Sequence, residues 1–369
     1  LAIRFDHTVP LARFVAANQG QMVFPFRRCA IGPVVRGERP KEGRYREFIQ
    51  ADVDVIGDGK LSFDHDAEMI AIISKVFDKL AFGPFTIRIN NRKLLTGYLG
   101  SIGCATPDAV RRAVKIIDEL EKEGRVDTLQ KLANLGIVEN KALHALEFLT
   151  RSYAVEEAFE ELRLLDYGDE FAAGVAELET VINSVREFGV PPSRYRIDLS
   201  IARGLNYYTS TVYEARLDEY PDLGSIAGGG RYDNLADDFS PRHLPGVGVS
   251  IGVTRLLRRL IKMGIVKTVS KTIAKVLVAS RDLAAEKELH LKRASLLRSA
   301  GIPTEAFLEQ RDLGDQLRFA AKRGMKIAVF THSENGGAAS GGVIVRNLET
   351  GDQRVAHEAE LVNTVLSML

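Results

Sequence analysis

Tryptophan is absent from this chain, and only two of its 369 residues are cysteine, Cys29 and Cys104. They stand far apart with no CxxC pairing, which argues against a disulfide-stapled scaffold and a structural zinc site and points to a reducing compartment. The seven histidines are scattered singly, so the sequence presents no metal cluster. No apolar run approaches the roughly 20 residues of a membrane span, and no signal peptide is recognisable. Neither sign of charge dominates: 50 Lys and Arg against 49 Asp and Glu leave a net charge of +1, so bulk charge does not announce a nucleic-acid partner. Walker and GxGxxG loops are missing too, which removes two common phosphate cradles.

What is present is an ordinary globular composition, 45% hydrophobic and 27% charged, at a length that suggests two or three domains. Residues 1–100 alternate strand-like runs (LAIRF, QMVFPFRRCA, YREFIQADVDVIG, FTIRINN) with one long helical pattern near 64–80, a mixed α/β signature. From Thr106 the periodicity changes. TPDAVRRAVKIIDELEKEG offers Thr106 as N-cap, Pro107 at the first helical position and Gly124 at the end, with Val110, Val114, Ile117 and Leu120 at helical spacing. Helical patterns continue to about Phe188, so 106–189 reads as a helical insertion in a core formed by 1–105 and 190–265. Beyond a short connector, AKVLVAS, LAAEKELHLKRASLLRSA, IPTEAF, LGDQLRFAAKRG and MKIAVFT alternate strand and helix, which predicts a separate α/β domain with parallel strands over 272–369. It shows no evident nucleophile, so binding suits it better than catalysis. The chain opens on LAIRFDHTVP without a Met, and the expectation is that a natural N-terminal segment is missing.

YREFIQADVDV, 45–55, is a strand whose faces disagree. One is Ile49, Ala51, Val53 and Val55, expected in the core; the other is Phe48, Gln50, Asp52 and Asp54, more specific than a solvated face requires. Before it, GPVVRGERPKEGRYREF places Arg36 and Glu38 on one strand parity and a charged loop from Arg39 to Arg44, suited to phosphate through arginine forks and to a base through Phe48. RGLNYYTSTVYE sets Arg203 beside a glycine turn and feeds a strand on which Tyr207 and Tyr208 point to opposite faces. GGGRYDNL is either a turn or a place where backbone approaches a ligand closely. GVGVSIGVTRLLRRL leads a glycine-punctuated strand into a helix with Arg255 in its first turn, which favours an anion. Three separated arginines, an aromatic platform and a carboxylate-lined strand together suit a triphosphate and a cationic or imidazole-bearing small molecule.

VVRGERPKEGRYREF resembles motif 2 of class II aminoacyl-tRNA synthetases, GVGVSIGVTRL resembles their motif 3, and RGLNYYTSTVYE and GGGRYDNL are similar to the two peptides that mark the histidyl-tRNA synthetases. The resemblance covers nearly the whole chain. It implies an α+β catalytic core with an antiparallel sheet flanked by helices, a helical insertion and a C-terminal α/β anticodon-binding domain. It further implies a cytoplasmic homodimer that ligates L-histidine to tRNA(His) with ATP and Mg²⁺, through histidyl-adenylate. By resemblance Asp54 and Tyr208 would hold the substrate imidazole, Gln50, Asp6 and Thr8 its α-amino group, and Tyr232 would close the pocket. Phe48 would stack on adenine and Glu38 would fix the nucleotide. Arg36 and Arg203 would flank the α-phosphate as the catalytic pair, Arg255 would bind the γ-phosphate and Arg44 another phosphate. No protein ligand for the metal is implied. Arg39 and Lys41 would reach the tRNA acceptor end. Motif 1 is missing from the chain, and Asn206 and Ser210 stand where many members carry Asp and Gly. Two alternatives share the fold: the regulatory subunit of ATP phosphoribosyltransferase, and an accessory tRNA-binding module. The presence of both the C-terminal domain and the RGLNYYTSTVYE peptide argues against the first, and the complete set of ATP and amino-acid residues against the second.

Overall fold

A computed structural model describes residues 3–37, 39, 45–104, 106–118, 120, 124–201, 207–267, 271–332 and 342–369. The chain forms two compact units, Leu1–Val266 and Lys267–Leu369.

The first unit opens with α1 (Thr8–Asn18), followed by β1 (Phe26–Val35) and β2 (Glu47–Ile56), which pair antiparallel from Phe26↔Ile56 to Val35↔Glu47. LAIRF does not form a strand in its described residues; Val35 N–H donates to the Arg4 carbonyl, and the segment lies beside the end of β1. α2 (Asp64–Leu80) coincides with the helical pattern near 64–80 and buries Ala67, Ile70, Ile73 and Phe77, one per turn or nearly so. Phe77 meets Phe82 and Phe85 edge to face, at 5.1 and 5.2 Å between centroids.

After β3 (Phe85–Asn91) and α3 (Arg92–Ser101) the chain turns helical: α4 (Pro107–Asp118), α5 (Arg125–Asn134), α6 (Glu139–Leu149), then, beyond the two-residue β4 (Ser152–Tyr153), α7 (Val155–Leu162) and α8 (Asp169–Glu187). Thr106 caps α4 by accepting from Ala109 N–H at 3.2 Å, while Val114 and Ile117 are buried. Strands resume as β5 (Tyr195–Asp198), β6 (Thr211–Leu217), β7 (Ala227–Tyr232) and β8 (Gly246–Gly252), and α9 (Val253–Lys262) ends the set. The sheet order is β1-β2-β8-β7-β6-β3-β5-β4, antiparallel throughout except for β3 beside β5.

The second unit runs β9 (Val276–Val278), α10 (Leu283–Ser299), β10 (Thr304–Ala306), α11 (Leu313–Arg323), β11 (Ile327–Thr331), β12 (Gly342–Asn347), β13 (Gln353–His357) and α12 (Leu361–Met368). Asp282 starts α10 by accepting from Ala284 and Ala285 N–H, both at 3.1 Å. Its sheet order is β10-β9-β11-β12-β13. The expected parallel strands are found in β10, β9 and β11, but β12 and β13 add antiparallel, so the sheet is mixed. For β12 and β13 the reason is local: Asn347 accepts from Glu349 and Thr350 N–H and turns the chain back in a tight hairpin, which only an antiparallel pair permits.

Candidate active site

The disagreement between the faces of β2 is resolved in an unexpected direction. Gln50, Asp52 and Asp54 are buried at 7%, 2% and 2% exposure, whereas Ile49 on the apolar face is 42% exposed and Ala51 and Val53 are only half-buried. The apolar face is therefore core only towards Val55. β2 lies next to the edge strand, and there its apolar side is open to solvent, with Ile31 of β1 at 72% exposure.

β8 is the partner that lets carboxylates crowd the other face. Asp54 faces Gly248 in the register, and a Cβ at Gly248 would lie 2.2 Å from Asp54 Oδ1. Asp54 accepts from Tyr232 Oη at 2.8 Å and from Arg28 Nη2 at 2.6 Å. Burial pushes its carboxyl up, opposed by the Arg28 charge and by the bonds from Arg28 and Tyr232. Asp52 is also pushed up, to about 6, by burial above all, with Ser250 opposing through a hydrogen bond and Asp54 adding repulsion.

The triple glycine forms neither a turn nor a loop; Gly228, Gly229 and Gly230 lie inside β7. They permit close backbone approach and clear space for rings: a Cβ at Gly229 would lie 2.1 Å from the Gly248 carbonyl oxygen and 2.8 Å from the Tyr213 ring, and one at Gly230 2.6 Å from the Thr211 carbonyl oxygen and 3.1 Å from the Tyr208 ring. Tyr207 and Tyr208 do not alternate across a strand, because β6 begins only at Thr211. Their rings meet edge to face at 4.7 Å, and Tyr207 stands 6.2 Å from the Tyr232 ring. Burial raises the Tyr207 hydroxyl, with a bond from Tyr208 opposing and the charges of Asp6 and Asp54 adding, which places all of these groups within electrostatic reach.

Asp6 is buried and accepts from Val9 N–H at 3.0 Å, capping the start of α1, where Thr8 is the first residue and half-buried. Arg36 donates from Nε to the Phe5 carbonyl, and its guanidinium lies over the rings of Phe5 and Phe48 at 4.6 and 5.1 Å. Phe48 is thus a platform for a planar cation in this state, the same ring that the resemblance assigns to adenine. Arg255 lies in the first turn of α9 and donates to the Leu223 carbonyl at 2.7 Å; the neighbouring Thr254 accepts from Ile49 N–H, tying that helix start to β2. Glu38, Arg44 and Arg203, together with Lys41 and Asn206, lie outside the described residues.

The stems on either side of residues 202–206 are held. Asn90 donates to the carbonyls of Leu199 and Ile201 at 3.2 and 3.1 Å. Ser210, buried at 1%, donates to Glu177 Oε2 at 2.6 Å, and Asn91 donates to the same oxygen at 2.9 Å. Ser210 is therefore anchored to α8.

Sequence reasoning missed Arg28, Ser250 and Tyr207. Arg28 had a readable signal, since pairing β1 with β2 places it directly opposite Asp54. Ser250 had none, because its role depends on which strand lies beside β2, and β8 is about 200 residues away in sequence. Among the described residues no group of three or more His, Cys, Asp or Glu side chains is placed to hold a metal ion.

Comparison with known proteins adds the following. The family described as histidyl-tRNA synthetase matches residues 1–256. A histidine–tRNA ligase of Nostoc sp. PCC 7120 is 40% identical over 371 residues, covering 99% of this chain and 79% of the relative. One from Clostridium tetani is 40% identical over 369 residues, covering 99% and 82%. The crystal structure of histidyl-tRNA synthetase from Nostoc sp. PCC 7120 superposes with a TM-score of 0.80 at 39% identity, covering 99% of this chain and 83% of that one. A Bacillus halodurans protein described as an ATP phosphoribosyltransferase regulatory subunit/histidyl-tRNA synthetase shares the fold, with a TM-score of 0.69 at 20% identity over 89% of this chain and 80% of that one.

Proposed function

Because this chain belongs to the histidyl-tRNA synthetase family, we propose that it activates L-histidine with ATP and transfers the histidyl group to tRNA(His). The observation that carries the reading at the site is the floor formed by Gln50, Asp52, Asp54 and Tyr232, where the two carboxyl-bearing positions of β2 are buried beneath a tyrosine cluster. Such a floor suits a small, doubly polar amino acid.

In this proposal Asp54, held by Arg28 and Tyr232, accepts from the substrate imidazole, with Tyr208 as the second contact. Asp6, Thr8 and Gln50 receive the α-ammonium. The histidine carboxylate attacks the α-phosphorus of ATP in line; the bond to the bridging oxygen breaks, and pyrophosphate leaves with the electron pair. Little proton transfer is needed, so the work is positioning two anions and offsetting charge developing at phosphorus. Arg36 and Arg203 serve the α-phosphate and Arg255 the γ-phosphate. Glu38 and Arg44 belong to the nucleotide site, and Arg36 leaves the Phe48 ring as adenine takes that face. Mg²⁺ would come with ATP as part of the substrate and would offset charge on its phosphates. The terminal ribose hydroxyl of the tRNA then attacks the adenylate carbonyl and AMP departs.

The boundaries 1–105 with 190–265 for the catalytic core, 106–189 for the helical insertion and 272–369 for an anticodon-binding domain are part of the same proposal. So are a homodimer, supported by the exposed Ile31 and Ile49 on the β1–β2 face, and a cytoplasmic location; among the described residues no helix is long and apolar enough to cross a membrane.

ATP–pyrophosphate exchange with each of the twenty amino acids, followed by charging of tRNA(His), tests the proposal. Exchange that depends on histidine alone is expected. Exchange with no amino acid, or with another one, would overturn it.

A further inference from the structure

The structure assigns positioning roles to Asp52 and Ser250: together they fix the Gln50 amide so that its oxygen, and not its nitrogen, is presented to the amino group of the bound amino acid. This rests on the reading of the floor as a histidine site.

Ser250 lies directly opposite Asp52 in the β2–β8 register. Its hydroxyl donates to Asp52 Oδ1 at 2.5 Å, and Gln50 Nε2 donates to Ser250 Oγ, also at 2.5 Å. A serine hydroxyl has one proton, and an ionised carboxylate can only accept. With its pKa pushed up to about 6, Asp52 is still ionised in neutral solution, with the Arg28 and His7 side chains favouring that form and Asp54 opposing it. The serine proton is therefore committed to Asp52, and the serine oxygen is left to accept.

Only the NH₂ end of an amide can supply that hydrogen bond. Gln50 Oε1 is consequently the end left over, and it is buried without a partner among the described residues, on a side chain only 7% exposed. A buried acceptor without a donor is unfavourable until a donor arrives. An ammonium is donor only, so it satisfies this oxygen, whereas a flipped amide would present N–H to N–H. The polarity of the chain, carboxylate to hydroxyl to amide, is what makes Gln50 select an amine.

The test uses the whole protein, with calorimetric titration at about pH 7.5, where Asp52 is ionised. The ligands are histidine and imidazolepropionate, which is histidine without its amino group. Ser250→Ala and Asp52→Ala should each weaken histidine binding about tenfold, the scale of one charge-assisted hydrogen bond, while imidazolepropionate changes less than about twofold. Ser250→Thr keeps the hydroxyl and should restore histidine binding. In pyrophosphate exchange the first two variants should raise KM for histidine with kcat changed far less, a split that holds the test together if the analogue binds weakly. Equal losses for both ligands, a fall in kcat alone, or undiminished histidine affinity in Ser250→Ala would overturn the relay. Failure of the native protein to bind histidine would instead overturn the reading of the pocket, and the relay with it.

Discussion

Strand β2 of the first unit and strand β11 of the second are both largely buried, but for opposite reasons. β11 and its neighbour β9 are apolar on both faces: Val276, Leu277 and Val278, and Ile327, Ala328 and Val329, are fully buried. They are the interior of a mixed sheet covered by helices, where continuous hydrophobic runs are expected. β2 buries Gln50, Asp52 and Asp54 instead and leaves Ile49 exposed. A buried polar row is unfavourable unless paired, and here the pairing comes from Arg28, Tyr232 and Ser250. Burial in one strand makes stability, and in the other it holds a paired polar row, the floor of the candidate site.

The contrast is broken most forcefully by moving a carboxylate to the other strand. Val329→Asp places an unpaired charge at a position with no exposure, and should cost at least about 4 kcal/mol. Urea unfolding followed by hydrogen exchange in β9 and β11 should show the second unit's protection lost. Next in size is Arg203→Ala, which on the proposed mechanism removes a donor to developing phosphoryl charge. It should cost about 3 kcal/mol in the transition state, roughly two decades in the pyrophosphate exchange rate, with histidine affinity retained by calorimetry. Equal loss in both would mean that Arg203 serves the ground state or the fold.

Asp52 sharpens the comparison through pH. Its pKa is raised from 3.8 to about 6 in the folded state, so folding favours the protonated acid. The associated stability is present in full below 3.8 and is lost as pH rises through about 6. Two pKa units correspond to up to about 3 kcal/mol. The stability of Asp52→Asn relative to the native chain should therefore grow by up to that amount from about pH 4 to about pH 7.5, read from urea midpoints. A flat difference would mean that Asp52 is no more protonated in the fold than in the unfolded chain. The smallest effect is expected for Asp54→Asn, which keeps the shape and an acceptor for Tyr232 but drops the charge. Histidine affinity should fall about tenfold and ATP affinity less than about twofold, and unchanged histidine binding would remove Asp54 from the amino-acid pocket.

Much of the fold was legible where local chemistry decides. α2 follows the apolar spacing of Ala67, Ile70, Ile73 and Phe77, and Thr106 caps α4 through its own side chain. The shared face of Gln50, Asp52 and Asp54, the candidate site residues on β2, was legible as well, by strict alternation. Alternation identifies faces but not their surroundings, and Ile49 was misplaced into the core for that reason. The triple glycine misled in the same way: its lack of side chains serves the close approach of the Gly248 and Thr211 carbonyls on the neighbouring strands and of the Tyr208 and Tyr213 rings.

By itself the sequence determined the span of α2, the start of α4, the alternation of β2 and the set of side chains available for chemistry, because caps, turn residues and periodicity act over a few residues. Tertiary structure alone decided which face of β2 is covered, that Arg28 and Tyr232 share Asp54, and that Ser250 stands between Gln50 and Asp52. The Tyr232 and Ser250 contacts depend on β8 lying beside β2, with β7 next beyond it, although both strands are about 200 residues distant in the chain. Hydrogen bonds between such segments follow from the order of strands in the sheet, which no local pattern encodes.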